Sequence, residues 1–197
     1  MIKIAISGQA RTGKNTLAQM IVENIIPISV SSEFVNDHKI VAVADPIKNI
    51  VMQMIPNADP QCLWGESELR SKLVPGDFRD LNEQPLTYRK MLMDIGTLGR
   101  KYNTDIWLNA LVQDADKNKS LKVYVVSDVR FPNEINYLKS HGFCMVRLKR
   151  PGVPQIDDIS ETAQLEIPDT FFDHVIENNG SLNDLARQAE IIVHKLV

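Results

Sequence analysis

The chain has 197 residues, 44% hydrophobic and 24% charged, with a formal net charge of −3. That suffices for one domain with a sizeable core, and it excludes the broad positive field that a long polyanion such as DNA requires. Its 2 cysteines, Cys62 and Cys144, stand far apart without CxxC or CxxxH spacing, which argues against a zinc site or a disulfide framework.

The first predicted element is an apolar strand, IKIAIS at 2–7. It ends too soon for a signal peptide, and no apolar run approaches the roughly 20 residues that span a bilayer. A cytoplasmic protein with no membrane partner is expected. The strand runs into SGQARTGKNT, which holds the spacing Gly8-x-x-x-x-Gly13-Lys14 of a phosphate-binding loop. The helical pattern NTLAQMIVENII follows, with Leu17, Met20, Ile21 and Ile25 on one side. Strand, glycines, lysine and helix stand in the order that such a loop needs. Glycines let backbone N–H groups turn toward phosphate oxygens, the helix N-terminus adds partial positive charge, and Lys14 reaches the phosphates. Where the pattern asks for Ser or Thr, this chain has Asn15, with Thr16 next. The usual hydroxyl is a Mg²⁺ ligand. Asn15 offers a carbonyl oxygen instead, or leaves the metal to water, which Mg²⁺ retains readily.

A second strand is expected over KIVAVA, 39–44, and then a helix from Pro46 through PIKNIVMQM. Residues 55–86 are rich in Pro, Gly and charge and break the alternation. Two helical patterns follow, TYRKMLMDIGTLGRKY and TDIWLNALVQDADK. Met91, Leu92, Ile95 and Trp107 read as core within them, whereas Trp64, in the irregular polar stretch, is the candidate for stacking on a base. The third strand, KVYVVS at 122–127, leads to Asp128 and Arg130. An acid at a strand end is where phosphate-loop enzymes place a group near Mg²⁺. An arginine beside it stabilises charge on a transferred group. The competing readings are a turn cap for Asp128 and a surface cation for Arg130. A helix from Pro132 to a stop at Gly142, a strand CMVRLK at 144–149, an irregular stretch at 150–172, a strand HVIEN at 174–178 and a helix capped by Ser181 and Asp184 complete the chain. The 4 histidines are scattered and form no constellation.

Apolar strands that alternate with helices predict an α/β fold with a five-stranded, mainly parallel sheet in three layers. One phosphate-loop domain over 1–197 is expected, with lid or substrate-binding segments near 55–100 and 150–172.

Taken together, SGQARTGKNT, ADPIK (44–48), YRKMLMDIGT (88–97), VVSDVRFPNE (126–134), VRLKRPG (146–152), ISE (159–161) and VIENNGSLNDL (175–185) resemble the phage-type deoxynucleoside monophosphate kinases. The animal phosphomevalonate kinases share several of these segments, and dephospho-coenzyme A kinase is a more distant relative. The order Gly-Lys-x-Thr is similar to the Gly-Lys-Gly-Thr of adenylate kinases, whose threonine contacts a nucleotide phosphate. The resemblance implies a kinase of the nucleoside monophosphate type that moves the γ-phosphoryl of ATP, with Mg²⁺, onto a deoxynucleoside monophosphate.

It further implies roles for single residues. Lys14, Asp128 and Arg130 are catalytic. Gly8, Arg11, Thr12, Gly13, Lys14, Asn15, Thr16, Arg150, Asn178 and Gly180 hold ATP, the last two near its base. Asn15, Thr16 and Asp128 serve the metal. Asp45, Lys48, Trp64 and Arg89 hold the acceptor, although a solvated Lys48 is an equal reading. Asp158 stands where relatives carry His. The partners are these small molecules, with no nucleic acid polymer, and a homodimer is left open. Phosphomevalonate and dephospho-coenzyme A remain alternative acceptors. A nucleotide-binding module without transfer is a third reading, against which Asp128 and Arg130 weigh.

Overall fold

The computed structural model describes residues 1–26, 37–153 and 159–196. Its elements are β1 (Ile2–Ser7), α1 (Lys14–Ile25), β2 (His38–Val41), α2 (Asp45–Met54), α3 (Gln61–Trp64), α4 (Tyr88–Tyr102), α5 (Ile106–Lys117), β3 (Val123–Val129), α6 (Pro132–Ser140), β4 (Cys144–Lys149), α7 (Ile159–Glu166), β5 (His174–Glu177) and α8 (Leu182–Leu196), with 3-10 turns at Ser67–Ser71 and Asp169–Phe171. They form two compact units, Met1–Val43 with Val112–Val197, and Ala44–Leu111. Asp158 lies outside the described residues.

The first unit is built on a five-stranded sheet of order β2-β3-β1-β4-β5, and every pairing is parallel. The strands read as nearly continuous apolar runs because both faces are covered. On one face Ile4, Ile6, Val125, Val146 and Leu148 pack with Leu17, Ala18, Ile21 and Val22 of α1 and with Ala189 and Ile192 of α8. Met20 and Ile25, expected on one side with Leu17 and Ile21, are partly buried against this core, while Ala18 and Val22 lie within it. By alternation Tyr124 points to the other face, where its ring meets Phe143 edge-on and its hydroxyl donates to Asp114 of α5 at 2.8 Å.

Two strand boundaries differ from expectation. β2 ends at Val41 because Ala44 already has helical dihedrals and α2 begins at Asp45, with Pro46 in its first turn. β3 runs on to Val129 with an irregular register: Ala5 faces Val126, yet Ser7 faces Val129. β3 thus holds one residue more than β1 over this interval, a bulge, and bulges re-aim side chains. At the other end of the chain, Ser181 and Asp184 cap α8 reciprocally. The Ser181 N–H donates to Asp184 Oδ2 at 2.8 Å and the Asp184 N–H to Ser181 Oγ at 3.3 Å.

The second unit has its own core of Val51, Ile55, Cys62, Leu63, Val74, Tyr88 and Met91. Residues 55–86 supply much of it, through α3, a 3-10 turn and antiparallel bridges between Leu73 and Thr87 and between Arg79 and Pro85. Trp107 is core as expected. Its Nε1 donates to the Gly96 carbonyl at 3.1 Å, and a Cβ on Gly99 would lie 2.3 Å from its ring. Among the described residues no helix is long and apolar enough to cross a membrane.

Candidate active site

The loop after β1 is shaped by close packing. A Cβ on Gly8 would lie 2.4 Å from the Leu148 carbonyl oxygen, so only glycine lets the chain turn against β4. Arg11 and Gly13 have φ of +63° and +101°, left-handed values that wind the backbone around the loop. Thr12 is buried and donates its hydroxyl to the Gln9 carbonyl at 2.8 Å. The helix begins when the Leu17 N–H meets the Gly13 carbonyl at 2.9 Å. The N–H groups of the first turn of α1 precede that bond and point out of the helix toward the loop, the end of a helix that carries partial positive charge. The Asn15 and Thr16 side chains are exposed on that first turn, as is Arg11 beside it.

Lys14 is nearly buried and spans the loop. Its ammonium donates to the carbonyls of Gly8 at 2.6 Å and Gln9 at 2.8 Å and lies 3.8 Å from Asp128 Oδ1. Asp128 sits in the bulged end of β3, and Arg130 Nε is 3.2 Å from both of its carboxylate oxygens. The structure therefore brings Lys14, Asp128 and Arg130 together. It also separates Asp128 from the capping role open to it in the sequence. The cap of α6 is Glu134, which accepts the N–H of Arg130 at 2.7 Å and of Phe131 at 3.1 Å. Burial pushes the Glu134 carboxyl above its ordinary pKa, and the charge of Asp128 adds to this against the two N–H groups and Arg130. Glu134 holds the backbone from which Arg130 projects. Its signal lay in PNE, a proline at the first helical position and a glutamate two residues later.

Asn178, at the end of β5, donates its amide to the Thr12 carbonyl at 2.8 Å, and its Nδ2 would lie 3.0 Å from a Cβ on Gly13. Gly180 turns the chain into α8 where a Cβ would meet Asp184 Oδ2 at 2.6 Å. Arg150 is exposed just beyond β4.

In the second unit Asp45, Lys48 and Trp64 form one cluster. Asp45 Oδ1 accepts from Lys48 Nζ at 2.8 Å and from Trp64 Nε1 at 3.1 Å, and the Lys48 ammonium stands 5.8 Å from the centre of the indole ring. Lys48 is only 7% exposed, which corrects its reading as a solvated helix residue. Trp64 keeps 44% of its surface exposed. Arg89 is bonded elsewhere, through Nη2 to the Ser67 carbonyl at 2.8 Å.

The residues present fit a magnesium ion held with its water. Among the described residues no three His, Cys, Asp or Glu side chains cluster as a metal cage. One half-exposed carboxylate, Asp128, stands beside the loop. Mg²⁺ keeps several waters and is commonly bound by one or two carboxylates together with substrate phosphates.

The model of the deoxynucleotide monophosphate kinase family matches residues 76–189. A protein of Acanthamoeba polyphaga mimivirus, provisionally named a deoxynucleotide monophosphate kinase, is 28% identical over 204 positions, covering 95% of this chain and 94% of that one. Among solved structures, the dephospho-CoA kinase of Campylobacter jejuni covers 98% of this chain and 95% of its own, at 14% identity and a TM-score of 0.47.

Proposed function

Because the chain belongs to the deoxynucleotide monophosphate kinase family, we propose that it phosphorylates a deoxynucleoside monophosphate to the diphosphate with ATP and Mg²⁺. The observation that supports this best is the meeting of Lys14, Asp128 and Arg130 beside a glycine loop at a helix N-terminus. Two cations and a carboxylate in that setting suit transfer of a phosphoryl group, where catalysis is mostly positioning and charge stabilisation.

The roles follow from the contacts. The Lys14 ammonium, now on two loop carbonyls, turns to phosphate oxygens when ATP enters, since a charged acceptor outcompetes a neutral one. Backbone N–H groups at the start of α1 hold the same phosphates, with Arg11, Thr16 and Arg150 around them. Asn178 acts through the loop by holding Thr12, and Gly180 through the turn behind it. Asp128, with the oxygens of Asn15 or Thr16, would hold a magnesium ion, which would supply neutralisation of phosphate charge. Arg130 stabilises the charge of the moving phosphoryl group. The acceptor oxygen forms the new bond to phosphorus as the bond to the β-phosphate oxygen of ATP breaks, which leaves ADP. Lys48 holds the acceptor's phosphate, Asp45 sets the Lys48 ammonium, and Trp64 stacks on the base; Arg89 would join them only on leaving the Ser67 carbonyl.

ATP titration of wild type and Lys14→Ala in a calorimeter tests the loop assignment. The variant should fold as wild type does and bind ATP at least tenfold more weakly, because a charge-assisted contact is worth about 1.5–3 kcal/mol. Equal affinity in a folded variant would remove the phosphate loop from the proposal.

A further inference from the structure

Leu81 stands in the turn between Arg79 and Gln84 and is fully exposed. The turn that carries it is well held. Asp80 Oδ1 accepts the N–H groups of Asn82 at 2.8 Å and of Gln84 at 3.0 Å, and the Asp80 N–H donates to the Gln84 carbonyl at 2.9 Å. Arg79 donates to the Glu83 carbonyl at 3.1 Å. A leucine on such a backbone is offered to water at one fixed place. A surface that covered it would gain the free energy of removing its apolar area from water.

Beside the turn lies an open groove of about 670 Å³, lined wholly by the second unit. Leu86, Met91 and Ile95, which belong to that unit's core or pack on it, line the groove with Met54 of α2 and with Met93 and Leu98 of α4. The last three are each more than half exposed. Scattered exposed apolar side chains are ordinary, but a contiguous group rimmed by charge marks a contact surface. Methionine side chains also adapt their shape to what enters. Leu81 borders this groove, so a knob and a hole share one patch. None of the residues assigned to ATP or to the acceptor lines it.

The rim carries both signs of charge, Arg79, Lys90 and Lys101 with Asp80 and Asp94. Lys90 and Asp94 are bonded to each other along α4. Lys101 makes no ion pair among the described residues, and it stands about two helical turns beyond Asp94 on the same side of α4. A surface that pairs with its own copy about a two-fold axis must hold knob, hole and both charges in one patch, because that patch meets itself.

We propose that this face of the second unit binds a second copy of the chain. Each Leu81 enters the groove of the other copy, and the two α4 helices cross antiparallel, so that Lys101 of each copy meets Asp94 of the other. A small molecule in the groove would leave Leu81 in water. A different protein would need only the hole, whereas a knob beside the hole suits a copy of the same patch.

Sedimentation equilibrium of the full chain, carried to high micromolar concentration, tests this. Wild type should reach twice the mass of one chain and go no further, because an isologous pair is closed. Leu81→Ser should raise the dimer Kd about tenfold or more, and Lys101→Glu about threefold or more. Both variants should keep the circular dichroism spectrum of wild type, since neither side chain is buried in its own unit. Asp94→Lys should weaken the pair as Lys101→Glu does, and an equal mixture of these two variants should dimerise again, each copy supplying the charge that the other needs. A monomeric wild type would overturn the proposal and leave the groove to a small molecule or to another protein. An open series of larger species, a dimer that Leu81→Ser or Lys101→Glu leaves unchanged, a mixture that stays monomeric, or a variant that loses its fold would overturn it as well.

Discussion

Asn178 donates its side-chain amide to the Thr12 carbonyl at 2.8 Å across a sequence separation of 166 residues. The end of β5 thereby fixes the phosphate loop that follows β1. The same amide is too close to Gly13 to leave room for a larger residue there. Asn178→Ala removes this bond and leaves a carbonyl to find water, a loss on the order of 1 kcal/mol. Since the loop must hold its shape to bind phosphate, the Kd for ATP should rise about fivefold, with kcat at saturating ATP within about twofold of wild type. Steady-state kinetics at varied ATP would check this. A fall in kcat at constant Kd would assign Asn178 to the chemical step instead.

Arg130 faces Asp128 through Nε while Glu134 holds its backbone N–H. A cation that acts on charge developing in the transition state shows itself in kcat. Arg130→Ala should lower kcat on the order of 10²-fold and leave the Kd for ATP within a few-fold. Single-turnover rates and an ATP titration on the same variant separate the two. Greatly weakened ATP binding with intact turnover would make Arg130 a ground-state ligand.

The features legible in the sequence were those carried by short-range pattern. Strands covered on both faces show as Val and Ile runs. The spacing of Gly8, Gly13 and Lys14 is a local property of one loop, and the cap formed by Ser181 and Asp184 is local too. What stayed hidden depends on distant pairing. The bulge that places Asp128 exists only in the register between β1 and β3. Lys48 looks like any helix lysine until Asp45 and Trp64 close around it. Residues 55–86 read as polar and irregular, because their few apolar side chains make a core only when brought against Tyr88 and Met91. Asn178 was expected beside the ATP base, and its bond to Thr12 links residues that no local pattern connects.

Asp114 gives the fold a pH dependence. Burial disfavours its charge, but hydrogen bonds from Lys39 and Tyr124 and the charges of Lys39 and Lys117 outweigh this and hold its pKa below the ordinary 3.8. A carboxylate with a depressed folded pKa stabilises the fold above its unfolded pKa, and that contribution is lost as pH falls through the folded value. Asp114→Asn should therefore melt below wild type at pH 7, and the gap should narrow once the pH drops under about 4. Melting curves from pH 7 to pH 2.5 would measure it; a gap of constant size would show that charge is not what Asp114 contributes.

Asn15 and Thr16 share the first exposed turn of α1. If magnesium is carried mainly by water and the ATP phosphates, Asn15→Gly should be tolerated, with activity falling by no more than about tenfold, or 1.4 kcal/mol. Glycine near a helix start costs less than the roughly 1 kcal/mol of a helix interior. Thr16→Ala should cost more, because its hydroxyl is the one proposed to meet a phosphate. The magnesium dependence of turnover in both variants decides the matter. A requirement raised by orders of magnitude in Asn15→Gly alone would make Asn15 a direct ligand.

The proposed activity depends most directly on the identity of the acceptor. The measurement is product formation from ATP and Mg²⁺ with each deoxynucleoside monophosphate, with phosphomevalonate and with dephospho-coenzyme A, followed by ADP release and by chromatography of the phosphorylated product. The expected result is a deoxynucleoside diphosphate formed mole for mole with ADP, little hydrolysis of ATP without acceptor, and no product with the other two. Turnover of phosphomevalonate or dephospho-coenzyme A with every deoxynucleoside monophosphate inert would contradict it.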